Sequence, residues 1–184
     1  MSKKQILFLF AAAGALHAVV IGIAVYRNSL APSQEEVTRL LRDYCEKIAS
    51  GDLSGARELM TPETREFLRD PGTRLGETIY AKFSLKNAEN INAESEKIYT
   101  ADAVFSTLDT LKVNAKALLL FEEKMTDDLP PEEQDRILAE IYDEILSRDD
   151  LPLIDSFCIV RLEKQDGRLL IRGDDSFRNV LEGK

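Results

Sequence analysis

The stretch LIDSFCIVRLEKQDGRLLIRG, residues 153–173, decides the fold because it predicts an antiparallel β-hairpin. Two apolar runs flank Asp166 and Gly167, and glycine adopts without strain the positive φ that a tight turn needs. In the first run, Cys158 belongs to an alternating set that faces one side of a strand, and Phe157 belongs to the set that faces the other side. A β-sheet is therefore part of the fold.

Upstream of the hairpin, helical and extended patterns follow one another. Apolar residues recur at the one-face spacing of amphipathic helices, and capping or breaking residues such as Ser33, Gly51 and Pro62 mark several helix ends. We predict a helix over 33–51, two short helices over 52–72, extended runs near 79–85 and 97–108, helices over 111–125 and 131–146, and a short helix or turn after 173. Helices first and strands after them predict an α+β fold, with helices packed on one face of a curved antiparallel sheet.

The beginning of the sequence contains an uncharged apolar segment, residues 6–26. As a helix this segment would span roughly 30 Å, the thickness of the hydrocarbon core of a bilayer. Lys3 and Lys4 precede the segment, and only Arg27 follows it closely before the acidic residues begin. Because positive charge stays on the cytoplasmic side, we predict a single-pass membrane anchor with residues 1–5 in the cytoplasm and the body of the protein outside.

The same segment also allows a second interpretation, in which it is a signal peptide that is removed. Cleavage after Ala18 or Ala24 would then make the protein secreted. No cysteine lies near the end of the apolar run, so a lipid anchor is not predicted. The residues that follow are interpreted as a short linker, 27–34, and one extracytoplasmic domain, 35–184.

The predicted domain is acidic. Positions 35–184 contain 33 acidic and 21 basic residues, so their net charge is −12. A negative field of this kind repels nucleic acid and anionic lipid headgroups. We therefore expect no nucleic-acid partner, and we expect contact with the membrane through residues 6–26.

Three stretches carry a family resemblance: SGDLSGARELMTPETREFL (50–68), TLKVNAKALLLFEEKMTDDLPPEEQDRILAEIYDEIL (110–146) and FCIVRLEKQDGRLLIRGDDSFRNVLEGK (157–184). Together with the amphipathic first helix, they resemble bacterial surface proteins of the nuclear transport factor 2-like, or cystatin-like, superfamily, many of which are lipoproteins. The resemblance implies a cone-like curved sheet that wraps a helix, with a two-helix insertion before the last hairpin. The mouth of such a cone is a natural pocket for a ligand or a partner, although a fold of this kind does not settle function.

The resemblance also implies which residues could line a pocket. Some enzymes of this superfamily use a tyrosine and a carboxylate inside the cone, and Tyr44, Tyr80, Tyr99 and Asp102 could supply them here. Tyrosines at such positions more often pack in a core with the hydroxyl group at its edge. Because no recognisable acid–base spacing accompanies these residues, we do not expect catalysis.

Metal and cofactor sites are not predicted. The single histidine, His17, lies inside the apolar segment, so the domain lacks the commonest metal ligand and the side chain most readily titrated near neutral pH. The acidic pairs of the sequence do not follow the spacing of a calcium-binding loop. Cys45 and Cys158 would each lie on an apolar face, where they could form a disulfide or remain two separate thiols.

These observations predict a membrane-anchored, non-catalytic module that binds a ligand or a protein outside the cytoplasm. The helical insertion offers a face to a partner protein or to a second copy of the chain, and it could equally cap the cone. Two alternatives stay open. One is a structural scaffold subunit of a cell-envelope or secretion assembly, and the other is a small-molecule enzyme that uses the cone pocket.

Overall fold

The computed structural model describes residues 31–125 and 129–183, which form six α-helices, one 3₁₀ helix and four strands. The helices are α1 (Gln34–Ala49), α2 (Leu53–Glu58), α3 (Arg74–Ala81), α4 (Thr110–Lys124), α5 (Pro131–Leu146) and α6 (Asp175–Leu181), with the 3₁₀ helix at Pro62–Phe67. The strands are β1 (Ser84–Ala93), β2 (Ile98–Leu108), β3 (Leu153–Gln165) and β4 (Arg168–Arg172). This content confirms the predicted α+β class.

The four strands form one open antiparallel sheet in the order β1-β2-β3-β4. The predicted hairpin is present as β3 and β4, joined by Asp166 and Gly167, which have φ angles of 49° and 77°. Positive φ at both central residues is the requirement of the tight turn that matches the twist of paired strands. In β1, Asn90 also has a positive φ, and the register with β2 shifts twice, which bends this edge of the sheet.

One predicted strand is wrong. The run near 79–85 is not extended as a whole, because α3 reaches into it and β1 lies mainly in the polar stretch that follows. The hydroxyl of Thr73 caps α3 by accepting a hydrogen bond from the N–H of Gly76 at 3.1 Å, and Ile79 then packs with residues of α4 and α5. β1 is an edge strand whose side chains are mostly exposed, so it lacks the apolar run by which buried strands are recognised.

The main core lies between one face of the sheet, called here the inner face, and helices α1 and α6. The ring centres of Tyr44 and Phe177 lie 5.6 Å apart. Phe105 lies 5.7 Å from Phe177 and 5.1 Å from Phe83, measured between ring centres. Such offset and edge-on pairs add to the stabilisation that burial provides. Aromatic side chains thus fill the space between α1 and the sheet.

A second, smaller core joins the two inserted helices to the rest of the domain. Val113 and Ala117 of α4 pack with Ile141 and Ile145 of α5 and with Leu108 at the end of β2. The insertion is therefore part of the packed structure.

Polar contacts also hold the inserted helices in place. The Tyr142 hydroxyl of α5 donates a hydrogen bond to Asn114 Oδ1 of α4 at 2.9 Å, and Arg74 of α3 forms an ion pair with Asp143 at 2.6 Å. None of the helices in the described residues has both the length and the apolar character to cross a bilayer. The predicted anchor over 6–26 lies outside the described residues, so it stays a prediction.

Candidate functional site

The four residues suggested for a pocket do not meet in this structure. Tyr44 and Tyr99 are fully buried in the main core. Asp102 leaves β2 on the face opposite to Tyr99, because alternate residues of a strand point to opposite sides. Tyr80 lies near the end of α3, where its hydroxyl donates a hydrogen bond to the carbonyl oxygen of Arg69 at 2.8 Å. The sheet therefore separates the carboxylate from the buried tyrosines.

The buried tyrosine hydroxyls already have partners inside the protein. Tyr44 donates a hydrogen bond to the Sδ atom of Met60 at 3.7 Å, and Tyr99 donates one to the carbonyl oxygen of Glu96 at 2.8 Å. Burial raises the pKa of the Tyr44 hydroxyl well above its ordinary value, so this group keeps its proton at neutral pH. Tyr44 and Tyr99 are therefore structural residues of the core, and each hydroxyl has the hydrogen-bond partner that a buried polar group requires.

Both cysteines are free, buried thiols, and the disulfide that the sequence left open is not formed in this structure. Burial, reinforced by the charge of Glu46, raises the pKa of the Cys45 thiol to about 12. Burial also raises the pKa of Cys158, although a contact with the Ser176 hydroxyl at 3.7 Å acts in the opposite direction. Thiols that stay protonated at neutral pH are weak nucleophiles, so neither cysteine has the environment of a reactive one.

The outer face of the sheet, opposite to the main core, carries exposed apolar side chains. Phe157 and Ile159 of β3 are 60% and 49% exposed, whereas Cys158 between them is buried. Val104 of β2 lies directly opposite Phe157 in the strand register and is partly exposed. In the part of the chain that the structure describes, no helix covers these side chains. An uncovered aromatic and aliphatic cluster on a sheet is typical of an interaction surface.

A cleft adjoins this cluster at the point where β4 ends. Arg172, the last residue of β4, lies opposite Arg161, so the part of β3 before Arg161 has a strand neighbour only on the β2 side. The chain leaves β4 and enters α6 beside this edge of β3. The cleft has a volume of about 380 Å³ and is lined by Glu94, Thr100, Phe157, Cys158, Ile159, Arg161, Asp174 and Ser176. It is an open notch at the sheet edge rather than the interior of a cone.

Two arginines lie on the outer face at the cleft, whose lining also contains the carboxylates of Glu94 and Asp174. Arg161 and Arg172 project from the same outer face, since they are directly paired in the register. Arg172 forms an ion pair with Glu163 at 3.6 Å, whereas Arg161 forms no ion pair with any described residue. Arginine and aromatic side chains are both enriched at protein interfaces, and Arg161 and Phe157 lie on the same face of β3, with Ile159 between them. We call Val104, Phe157, Ile159 and Arg161 the outer-face patch.

The outer-face patch was not identified as a site from the sequence, although its signal is present there. Both alternating sets of β3 are apolar, so the pattern shows two apolar faces without showing which of them the helices cover. The packing of α1 and α6 on the side of Cys158 and Val160 decides this question. The signal in the sequence is a strand that is apolar on both faces, combined with a predicted sheet that the predicted helices pack against on one face only.

Metal-binding geometry is not present among residues 31–125 and 129–183. No group of three or more His, Cys, Asp or Glu side chains lies close enough together there to hold a metal ion. Asp102, which faces the outer surface, accepts a hydrogen bond from Asn90 Nδ2 at 2.9 Å. This carboxylate therefore stabilises the bent edge of the sheet next to the patch.

No family model matches the chain, and no curated protein matches it. Among solved structures, the chain is similar to a candidate lipoprotein, YcdA, from Bacillus subtilis subsp. subtilis strain 168. The two share 17% sequence identity at a TM-score of 0.39, and the matched part covers 76% of this chain and 44% of that protein. This chain thus spans less than half of that protein's length, and an overlap this loose assigns neither a family nor a function.

Proposed function

We propose that this chain is a membrane-anchored, non-catalytic module that binds a protein partner outside the cytoplasm through the outer-face patch. The single observation that carries the proposal is the exposure of Phe157 and Ile159, side by side on a sheet face that the described helices leave open. Burying such side chains against a partner removes apolar surface from water, which is the main favourable contribution to protein association. The partner acts as the second layer that the described helices do not provide on this face of the sheet.

Arg161 indicates which chemistry the partner presents. Its guanidinium group has no carboxylate partner among the described residues and lies next to Ile159 along the outer face. A partner that places an apolar side chain against Phe157 and a carboxylate against Arg161 would satisfy both groups. Charge-assisted arginine–carboxylate pairs also fix the orientation of a partner, because the planar guanidinium group donates its hydrogen bonds only in certain directions.

The location of the module rests on the sequence. The uncharged segment 6–26 supports an anchor, and the excess of basic residues before it supports a body that lies outside the cytoplasm. The finer fold assignment belongs to the same proposal: a nuclear transport factor 2-like domain is supported by α1 lying on the inner face and by the bent edge strand β1. An experimental structure in which the sheet does not curve around α1 would count against that assignment.

Site-specific photocrosslinking of the full chain in its native cells tests the binding surface. We would place a photoreactive phenylalanine analogue at Phe157, and at exposed Glu144 of α5 as the matched control. We expect the position of Phe157, but not that of Glu144, to crosslink one partner of defined mass. The additional substitution Ile159→Lys should abolish this adduct, while Lys at this position can pair with Asp102 across the strands and preserve the fold. The same adducts from both positions, or an adduct insensitive to Ile159→Lys, would refute the proposal.

A further inference from the structure

Helix α4 is apolar on two sides, and only one of them is covered by the described residues. Val113 and Ala117 face the second core. Leu111, Leu118 and Leu119 point away from it and are 77%, 57% and 62% exposed. Three exposed leucines on one helix form an apolar patch of the kind that marks an interaction site, whereas single exposed leucines need no explanation.

The spacing on the outer side is that of a helix that packs against another helix. Leu111, Ala115, Leu118 and Glu122 follow one another at steps of four, three and four residues, which places them in one line along α4. Leu119 broadens this line on one side. We call Leu111, Ala115, Leu118 and Leu119 the outer stripe of α4.

The charges beside the outer stripe divide α4 into a basic half and an acidic half. Lys112 and Lys116 lie in the first half, and Glu122 and Glu123 lie in the second. All four side chains are exposed, and Lys112 forms an ion pair only with Asp109, at 3.1 Å, among the described residues. A parallel neighbour of the same sequence would bring like charges together. An antiparallel neighbour would bring the lysines of one helix beside the glutamates of the other.

We propose that the outer stripe of α4 is the interface through which two copies of this chain form an antiparallel pair. The surface is self-complementary, as an interface around a two-fold axis must be. With the axis between Lys116 and Ala117, the small side chain of Ala115 faces the large side chain of Leu118 in the second copy. Lys112 then lies level with position 121 of the second copy, so Glu123 of that copy is only two residues, about 3 Å along the helix axis, beyond it.

Other occupants of the stripe fit its charges less well. An anionic membrane surface would attract only the basic half of α4, with Lys112 and Lys116, and would repel Glu122, Glu123 and the acidic domain behind them. The paired arrangement uses the acidic and the basic half together. The outer stripe of α4 shares no residue with the outer-face patch, so a paired chain can still bind its partner there. The two proposals can therefore be tested independently of each other.

Cysteine crosslinking of the full chain in its native cells tests the pairing. Ala115→Cys puts a thiol next to the proposed two-fold axis at little cost in size, and Glu144→Cys puts one on exposed α5 as the matched control. The native Cys45 and Cys158 are buried and give a low background. Under mild oxidation we expect a disulfide-linked species of twice the chain mass from Ala115→Cys and not from Glu144→Cys.

Charge reversal makes the test specific to the antiparallel alignment. In the Ala115→Cys chain, Lys112→Glu with Lys116→Glu should lower the yield of the dimer by about fivefold. Adding Glu122→Lys and Glu123→Lys should restore it, because the reversed charges are again complementary. Circular dichroism of each variant checks that the helices are retained. Equal crosslinking at positions 115 and 144, or no recovery in the fourfold variant, would overturn the proposal, and docking of the stripe on a membrane would give the first of these results.

Discussion

Phe157 and Cys158 are neighbours in the chain and have opposite surroundings. The ring of Phe157 is more than half exposed, whereas the thiol of Cys158 is buried beside Ser176 at the start of α6. The alternation of side chains along a strand produces this contrast, because one set faces α1 and α6 and the other faces outward. A single residue position thus separates the side chains that hold the domain together from those that are free to contact a partner.

Cys45 leads to a prediction about alkaline pH. In the unfolded chain the thiol loses its proton near its ordinary pKa of 9.0, whereas the folded thiol keeps it until about pH 12. The folded state therefore binds more protons in this window, and the free energy of unfolding must fall as the pH rises from 9 towards 12. We expect a slope from this group of up to about 1.4 kcal/mol per pH unit.

Urea denaturation of the purified chain between about pH 8 and pH 11 measures this slope. Cys45→Ala should be less stable at every pH, since it leaves a small cavity, but its stability should fall less steeply. The pKa of Tyr44 is raised mainly by burial, which both proteins share, and to a smaller extent by the neighbouring Cys45 thiol. Most of the Tyr44 contribution is therefore common to the two proteins, and the Cys45 contribution dominates the difference between their slopes. Parallel curves for the two proteins would contradict the assigned state of the thiol.

Helix α4 shows how one element can serve both the fold and an interaction. The inner side of α4 closes the second core against Ile141 and Ile145, and its outer side presents leucines to solvent. Most helical stability in proteins comes from such packing of one face, so the outer side is not needed for the fold. Residues on the two sides of the insertion should therefore differ sharply in their effect on stability.

Replacing one residue on the inner side and one on the outer side of the insertion tests whether the two sides differ in their effect on stability. Ile141 is fully buried, so Ile141→Ala should lower the free energy of unfolding by about 2–5 kcal/mol. Leu119 lies on the outer stripe, so Leu119→Ala should change it by less than about 0.5 kcal/mol at protein concentrations where the chain is monomeric. Chemical denaturation of the two variants and the wild type gives both values. A loss of similar size in both variants would mean that the outer stripe is also covered within one chain.

The elements that the sequence predicted well are those with one clearly apolar side. Helices α1 and α5 have amphipathic spacing, and the last hairpin has a turn with Gly167 at its centre. β1 was not predicted because it is a bent edge strand with polar side chains, held in place by pairing with β2 and by the side chain of Gln34, which donates to the carbonyl oxygen of Ala88 at 3.0 Å. Such long-range contacts leave no periodic pattern in the sequence.

The sheet is a single layer, and the helices among residues 31–125 and 129–183 cover it on one side only. The sequence was sufficient to place helices on one face of an antiparallel sheet, but not to show which face remains open. That choice depends on which face α1 and α6 pack against, and both sets of side chains on β3 are apolar enough for either outcome. The candidate pocket residues were misleading for the same reason, since Tyr99 and Asp102 belong to opposite faces of β2.

Arg161 gives a prediction for the partner complex as a whole. If its guanidinium group pairs with a carboxylate of the partner, Arg161→Glu should weaken the complex by at least about tenfold. Arg161→Lys keeps the charge but loses the planar geometry, and it should have an intermediate effect. Recovery of the partner with the full chain, measured over a range of salt concentrations, gives both effects. Unchanged recovery with Arg161→Glu would exclude a contact at this residue.

The accessibility of the outer face in the cell shows most directly whether a partner covers the outer-face patch. We would introduce Thr100→Cys, a conservative change at the rim of the cleft, and label intact cells with a maleimide that does not cross membranes. We expect fast labelling of the purified chain, slow labelling in intact cells, and fast labelling in intact cells once Ile159→Lys is added. The exposed control Glu144→Cys should react quickly in every case. Equally fast labelling of Thr100→Cys in purified protein and in intact cells would contradict the claim that a partner covers this face.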